Sequence, residues 1–185
     1  MKLKQNQPIN KTCAVSNTAL GETLGLVSIR IVPQQQEMLV MQGTELRCKY
    51  TISTAKNGLG EEKDSYKTPR GSHIIRAKIG AGSPPNAVFV QRRFTGELYS
   101  TDLNEKFPDR DWILTRILWL SGCEPGFNRL GNVDTMQRYI YIHGSPTERP
   151  VGVPSSRGCI RMRNQDIIEL FDLVPVGTQV YIDKD

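Results

Sequence analysis

Apolar and polar positions change period several times along the chain, and the period sorts the elements. Residues 26–32 alternate and are rich in β-branched side chains, which predicts a half-buried strand. Residues 37–40 and 47–53 predict two more, with a hairpin turn near Gln42-Gly43. Residues 74–79 and 87–91 predict short strands on either side of the breaker run Gly80-Ala81-Gly82-Ser83-Pro84-Pro85. Residues 112–120 fit a short helix and a buried strand equally. Residues 138–143 predict a strand with Tyr139, Tyr141 and His143 on one face and Ile140 and Ile142 on the other. After a Pro- and Gly-containing loop over 144–157, Ile167, Leu170, Phe171 and Val174 recur at helical spacing, with Asn164 as expected N-cap and Asp166 in the first turn. Pro175 and Gly177 end that helix, and residues 179–182 predict a closing strand. The expected fold is mainly β, a single twisted sheet or a β-sandwich with one or two short helices.

Residues 1–25 are polar and aperiodic, so they are expected to form a lead-in to one domain over 26–185. Aromatic residues make up 7%, which disfavours a stacking platform for nucleic acid. The formal charge of +5 comes from scattered basic residues, a pattern of solubility more than of polyanion binding, and no nucleic-acid partner is expected. No apolar run approaches the ~20 residues that span a bilayer, so the chain is not expected to be membrane-spanning. Met1-Lys2-Leu3-Lys4 continues into polar residues with no apolar core of a signal peptide, which leaves the export route open. Cys13, Cys48, Cys123 and Cys159 show no C-x-x-C spacing, and the histidines are His73 and His143 alone. Neither a metal site, a disulfide framework nor a cofactor is expected.

Cys159 stands apart because of its neighbours. A thiol attacks carbonyls as thiolate, so it needs a base or a positive field. His143 closes a predicted strand and precedes Gly144, which lets another segment approach. Gly158 keeps the backbone beside the thiol open, and amides there could donate to an oxyanion. Arg157, Arg161 and Arg163 form the densest basic stretch; the first two would favour a thiolate and attract a carboxylate. Each signal alone has a plain alternative: a lone cysteine is more often core packing, and a lone strand histidine is more often structural.

The combination resembles the catalytic segment of the L,D-transpeptidase (YkuD-type) family of peptidoglycan enzymes. That family carries a strand ending His-Gly-Thr or His-Gly-Ser, then Ser-His-Gly-Cys followed by an apolar residue and Arg or Asn. Here stand His143-Gly144-Ser145 and Ser156-Arg157-Gly158-Cys159-Ile160-Arg161. Thr51–Lys56, the Lys67-Thr68-Pro69-Arg70-Gly71 turn and Val176-Gly177-Thr178-Gln179-Val180 extend the likeness over roughly residues 27–183. The resemblance implies a sandwich-type β fold and a two-step acyl transfer on peptidoglycan stem peptides. Cys159 is then the nucleophile, His143 the base, and Ser156 the serine whose carbonyl orients the histidine. Gly158 and Cys159 supply oxyanion amides, and Arg161, Arg157, Gly144 and Tyr141 line the substrate. It also implies covalent inhibition by carbapenem-type β-lactams and a place in the periplasm or cell envelope. Rival expectations are an L,D-carboxypeptidase or hydrolase that uses water, and a peptidoglycan-binding module that has lost catalysis.

One departure is Arg157, where the family usually has a second histidine. Arginine cannot act as a base, although it keeps charge and hydrogen bonds. His73 is expected to be structural. The long stretch 83–134, with its Asp109-Arg110-Asp111-Trp112 run, is expected to form either a lid or acceptor wall, or an insertion that completes the core.

Overall fold

The computed structural model describes residues 26–184, so the expected lead-in lies outside the described residues. Alternation in the first segment becomes β1 (Val27–Val32), whose Ile29 and Ile31 are buried while Arg30 faces out and pairs with Asp183. β2 (Glu37–Gln42) and β3 (Glu45–Thr51) form the expected hairpin, turning at Gly43 with φ +59°, a left-handed value that glycine adopts freely. β4 (Gly71–Ile79), β5 (Ala87–Val90), β6 (Arg93–Leu98), α1 (Thr101–Lys106) and β7 (Ile113–Gly122) follow. The chain ends with β8 (Tyr141–Gly144), β9 (Ile160–Met162), α2 (Asn164–Leu173) and β10 (Gln179–Ile182).

The strands make one sheet in the order β3-β2-β1-β10-β4-β7-β5-β6, with β8 branching from β7 and β9 from β8. Most neighbours are antiparallel; β1 with β10 and β8 with β9 are parallel. Val40 of β2 and Ile160 and Met162 of β9 share one apolar core with Ile167 and Leu170 of α2. Strands so far apart in the order can meet only if the sheet folds over itself. The fold-over is stitched where Ser53 and Arg161 exchange two backbone hydrogen bonds of 2.9 Å. The two layers of the mainly β fold are therefore two halves of one sheet. α2 packs on β7 and β8 through Ile167, Leu170 and Phe171, and truncating Leu170 to alanine would cost about 2–5 kcal/mol.

Two expectations left open are decided and two others change. Residues 113–122 are strand, because β4, β5 and β8 all pair with them; the buried Trp112, Leu114, Ile117, Leu118 and Leu120 fill the core from there. The stretch 83–134 thus completes the core, and it also holds α1, a short helix capped by Ser100 that buries none of its residues. Tyr139 is not strand: it turns at φ +57°, stands 54% exposed, and β8 begins at Tyr141. Asn164 does not cap α2. The cap position falls on Arg163, and the Asn164 side chain instead accepts from Thr115 Oγ1 at 2.8 Å and donates to Asn86, tying the helix to β7 and to the approach to β5.

Candidate active site around Cys159 and His143

β8 and β9 run side by side with Ile142 opposite Ile160 and His143 opposite Arg161. Cys159 enters β9 one position earlier, which places it beside Tyr141, and the Tyr141 amide donates to its Sγ at 3.4 Å. The thiol faces the Tyr139 carbonyl at 3.5 Å. His143 is buried, and its Nδ1 lies 2.7 Å from the Gly144 carbonyl. A carbonyl can only accept, so Nδ1 carries the hydrogen and Nε2 is the basic nitrogen. Among the described residues no hydrogen bond engages Nε2.

Burial sets the protonation states. Desolvation holds His143 down at about 4, against the pull of Asp111 that favours the charged ring. Cys159 keeps some solvent exposure as a residue, yet it packs on the cluster of Ala87, Phe89, Ile117 and Tyr141, and desolvation pushes its thiol up to about 12. The Tyr141 amide, Arg161 and Arg138 work the other way. At rest the thiol and the imidazole are therefore both neutral.

The loop that carries the thiol is held at both ends. Gly158 has φ +124°, and a side chain there would press within 3.0 Å of Ile140 Cδ1 and 3.3 Å of the Lys67 carbonyl, so glycine is required. Thr68 Oγ1 donates to the Gly158 carbonyl at 2.9 Å and accepts from the Ala55 amide at 2.9 Å. Ser156 Oγ donates to the Cys159 carbonyl and accepts from the Gly158 amide at 3.2 Å.

These contacts correct three expected roles. The Ser156 carbonyl does not orient His143; it accepts the Lys56 amide at 3.0 Å, and the Gly144 carbonyl holds the ring. The Gly158 amide is committed to Ser156, whereas among the described residues the Cys159 amide has no acceptor and is free to donate. Gly144 does not face a substrate space. It is buried where a Cβ would sit 2.2 Å from Asn164 Oδ1 and 2.8 Å from the Leu114 carbonyl, so its role is close packing under α2.

Tyr141 is likewise buried, its hydroxyl accepting from Arg92 Nη1 at 3.0 Å. Arg92 reaches it from the two-residue β5–β6 turn, where Gln91 and Arg92 both have positive φ, and lies over the rings of Trp119 and Tyr139. Arg161 is buried too: its Nη1 donates to the Ser155 carbonyl at 3.1 Å and its Nη2 to Asp111 at 3.1 Å, while Nε has no partner among the described residues. Its guanidinium is engaged in tying the loop that carries Cys159 to the segment before β7. Arg157 is exposed between two hollows of about 530 and 190 Å³ that share it and Tyr66. Lys56, Asn57 and Ser155 line the larger, and Lys63, Asp64, Arg138 and Tyr139 the smaller.

His73 is structural as expected, with Nδ1 3.0 Å from the Gly71 carbonyl and Nε2 3.1 Å from Thr135 Oγ1. Sequence reasoning missed Arg92, Arg138 and the pairing of Asp111 with Arg161. The Asp109–Trp112 charge run was the only signal for the last, since charges next to a buried tryptophan are rarely free surface. Among the described residues no group of three or more His, Cys, Asp or Glu side chains is arranged to hold a metal ion.

The model of the L,D-transpeptidase catalytic domain matches residues 27–182. Curated relatives include the Escherichia coli (strain K12) proteins named "Probable L,D-transpeptidase ErfK/SrfK", 53% identical over 45 residues, and "Probable L,D-transpeptidase YbiS", 48% identical over 48. These alignments cover 24% and 25% of this chain but 14% and 16% of those proteins, so the chain spans a minor part of the relatives' length. Among solved structures, Bd1075 of Bdellovibrio bacteriovorus aligns with a TM-score of 0.54 at 17% identity, over 92% of this chain and 51% of that one. L,D-transpeptidase 3 of Mycobacterium tuberculosis, solved with a faropenem-derived adduct, aligns with a TM-score of 0.53 at 16% identity, over 85% and 60%. These two share the fold. With its family model matched from β1 to β10, the chain belongs to the L,D-transpeptidase (YkuD) catalytic-domain family.

Proposed function

We propose that this protein is a cysteine-dependent L,D-transpeptidase acting on peptidoglycan stem peptides in the cell envelope. One observation carries the reading: β8 carries a histidine whose Nε2 engages no hydrogen bond among the described residues, and the thiol of Cys159, one residue ahead of the parallel partner strand β9, bonds to the amide of Tyr141, two residues before that histidine.

As the donor peptide enters, the Cys159 proton passes to His143 Nε2, and Sγ forms a bond to the carbonyl carbon of the third stem residue, whose centre has L configuration. The carbonyl oxygen takes up the displaced electron pair, and the Cys159 amide donates to it. Collapse of this intermediate breaks the bond to the terminal D-alanine, whose amine takes the proton back from His143. A thioester to Cys159 remains. An amine of a second stem then attacks, losing its proton to His143, and Sγ leaves with the bonding pair. Arg157, exposed between the two hollows, supplies charge for a substrate carboxylate in place of the family's second histidine. A carbapenem enters the same cycle as a donor and stops at the acyl-enzyme.

The test is intact-protein mass spectrometry after exposure to a carbapenem. The wild type gains one adduct, mapped to Cys159, while Cys159→Ala and His143→Ala do not. No adduct on correctly folded wild type would sink the reading, and peptidoglycan retention that survived Cys159→Ala would then mark a binding module. Incubating a tetrapeptide stem with and without an amine acceptor separates transfer from hydrolysis.

A further inference from the structure

We propose that Arg138 is the positioning residue that readies Cys159: it fastens the 60–67 loop against the turn leading into β8 and fixes an unpaired positive charge on that side of the sulfur. The inference rests on Cys159 being the nucleophile, and it adds a group outside the motif that identified the site.

The side chain is half-buried and grips three points of one loop. Nη1 donates to the Gly60 carbonyl at 3.2 Å, and Nη2 to the Lys67 carbonyl at 2.6 Å and to Ser65 Oγ at 3.4 Å. Lys67 is also the residue whose carbonyl stands against Gly158, and the next residue, Thr68, holds the Gly158 carbonyl. At its other end Arg138 is anchored by its amide to the Asp134 carbonyl at 2.9 Å, and the following residue, Tyr139, presents the carbonyl that faces Sγ. Arg138, Lys67–Thr68 and Gly158–Cys159 are therefore linked in one ring of contacts, and Arg138 and Tyr139 also line the smaller hollow.

The charge balance around the sulfur gives this guanidinium its weight. Arg161 faces Cys159 from β9, but Asp111 lies 3.1 Å from it and offsets its field. Tyr141 and His143 face it from β8 and are neutral at rest. Arg138 forms no ion pair among the described residues; of its neighbouring carboxylates, Glu61 is already held by Arg70 at 2.8 Å, and Asp64 is exposed. Its attraction for the thiolate opposes the desolvation that raises the thiol. A lysine could bring the same charge but not the planar fork that spans two carbonyls.

The experiment follows alkylation of Cys159 by iodoacetamide in the full chain between pH 6 and 10, with peptide mapping to separate it from the other cysteines. Sulfur displaces iodide as the S–C bond forms, so the rate tracks the thiolate without any acyl donor. Arg138→Gln is expected to slow alkylation at pH 8 about tenfold and to move the profile to higher pH. Arg138→Lys restores most of the rate but leaves amide exchange in the 60–67 loop faster than wild type. Asp64→Asn, an exposed change that removes a competitor for Arg138, raises the rate about twofold. An unchanged profile in folded Arg138→Gln overturns the proposal. Should that variant not fold, an unchanged or slower Asp64→Asn overturns it. Absence of an acyl-enzyme on wild type would count against the transpeptidase reading alone.

Discussion

His73 on β4 and His143 on β8 are each 1% exposed, sit on strands of one sheet, and are held near pKa 4 by burial. They differ in one bond. Both ring nitrogens of His73 are taken, by the Gly71 carbonyl and Thr135, whereas His143 spends Nδ1 on the Gly144 carbonyl and keeps Nε2. A depressed pKa therefore does not distinguish a structural histidine from a base. The uncommitted lone pair at Nε2 is what the proposed role of His143 as base rests on.

The shared property gives the largest expected effect. Both folded-state values lie below the usual 6.5, so as pH falls the unfolded chain takes up protons first, and stability present above 6.5 is lost down to about 4. Each histidine is expected to remove about 3 kcal/mol over that window, seen as falling urea midpoints. His73→Gln should remove about half of this pH dependence; an unaltered slope would mean that other groups carry it.

The unshared property is read on chemistry. His143→Gln is expected to slow carbapenem acylation by about 100-fold or more, while His73→Gln leaves the rate of the folded protein unchanged. Comparable losses in the two variants would erase the distinction. A third test moves the carbonyl that holds the ring. Gly144→Ala forces a Cβ against the Leu114 carbonyl and is expected to cost about 1–3 kcal/mol in denaturant melts, with slower acylation in the folded fraction. The smallest effect is Arg157→His, an exposed change expected to shift stability by less than about 0.5 kcal/mol, with KM for the donor moving more than kcat.

The strand alternation of β1 to β3, the helical spacing of α2 and the family were legible because each rests on local period or on a compact motif. The state of 112–120 was not, since a run apolar on both faces looks alike as helix and as strand, and only pairing with β4, β5 and β8 decides it. The part played by Ser156 was misread because the motif names residues and not which carbonyl turns toward the ring. Asn164 carries a cap signal, but Thr115 and Asn86 claim its amide across gaps of 49 and 78 residues that no local pattern records. Arg138 escaped for the same reason: its partners lie 71 to 78 residues upstream.

The stitch between Ser53 and Arg161 also bears on the order in which the molecule assembles. β9 is three residues long and too short to persist alone; Ser53 and β8 pair with it, and Thr68 holds the Gly158 carbonyl just ahead of it, all of them back along the chain. Contacts over such separations form late, after nearer strand pairs have paid their loop-closure entropy. The surroundings of Cys159 are thus completed only when the sheet has doubled over, and in a chain still folding that cysteine lacks the neighbours that bury it.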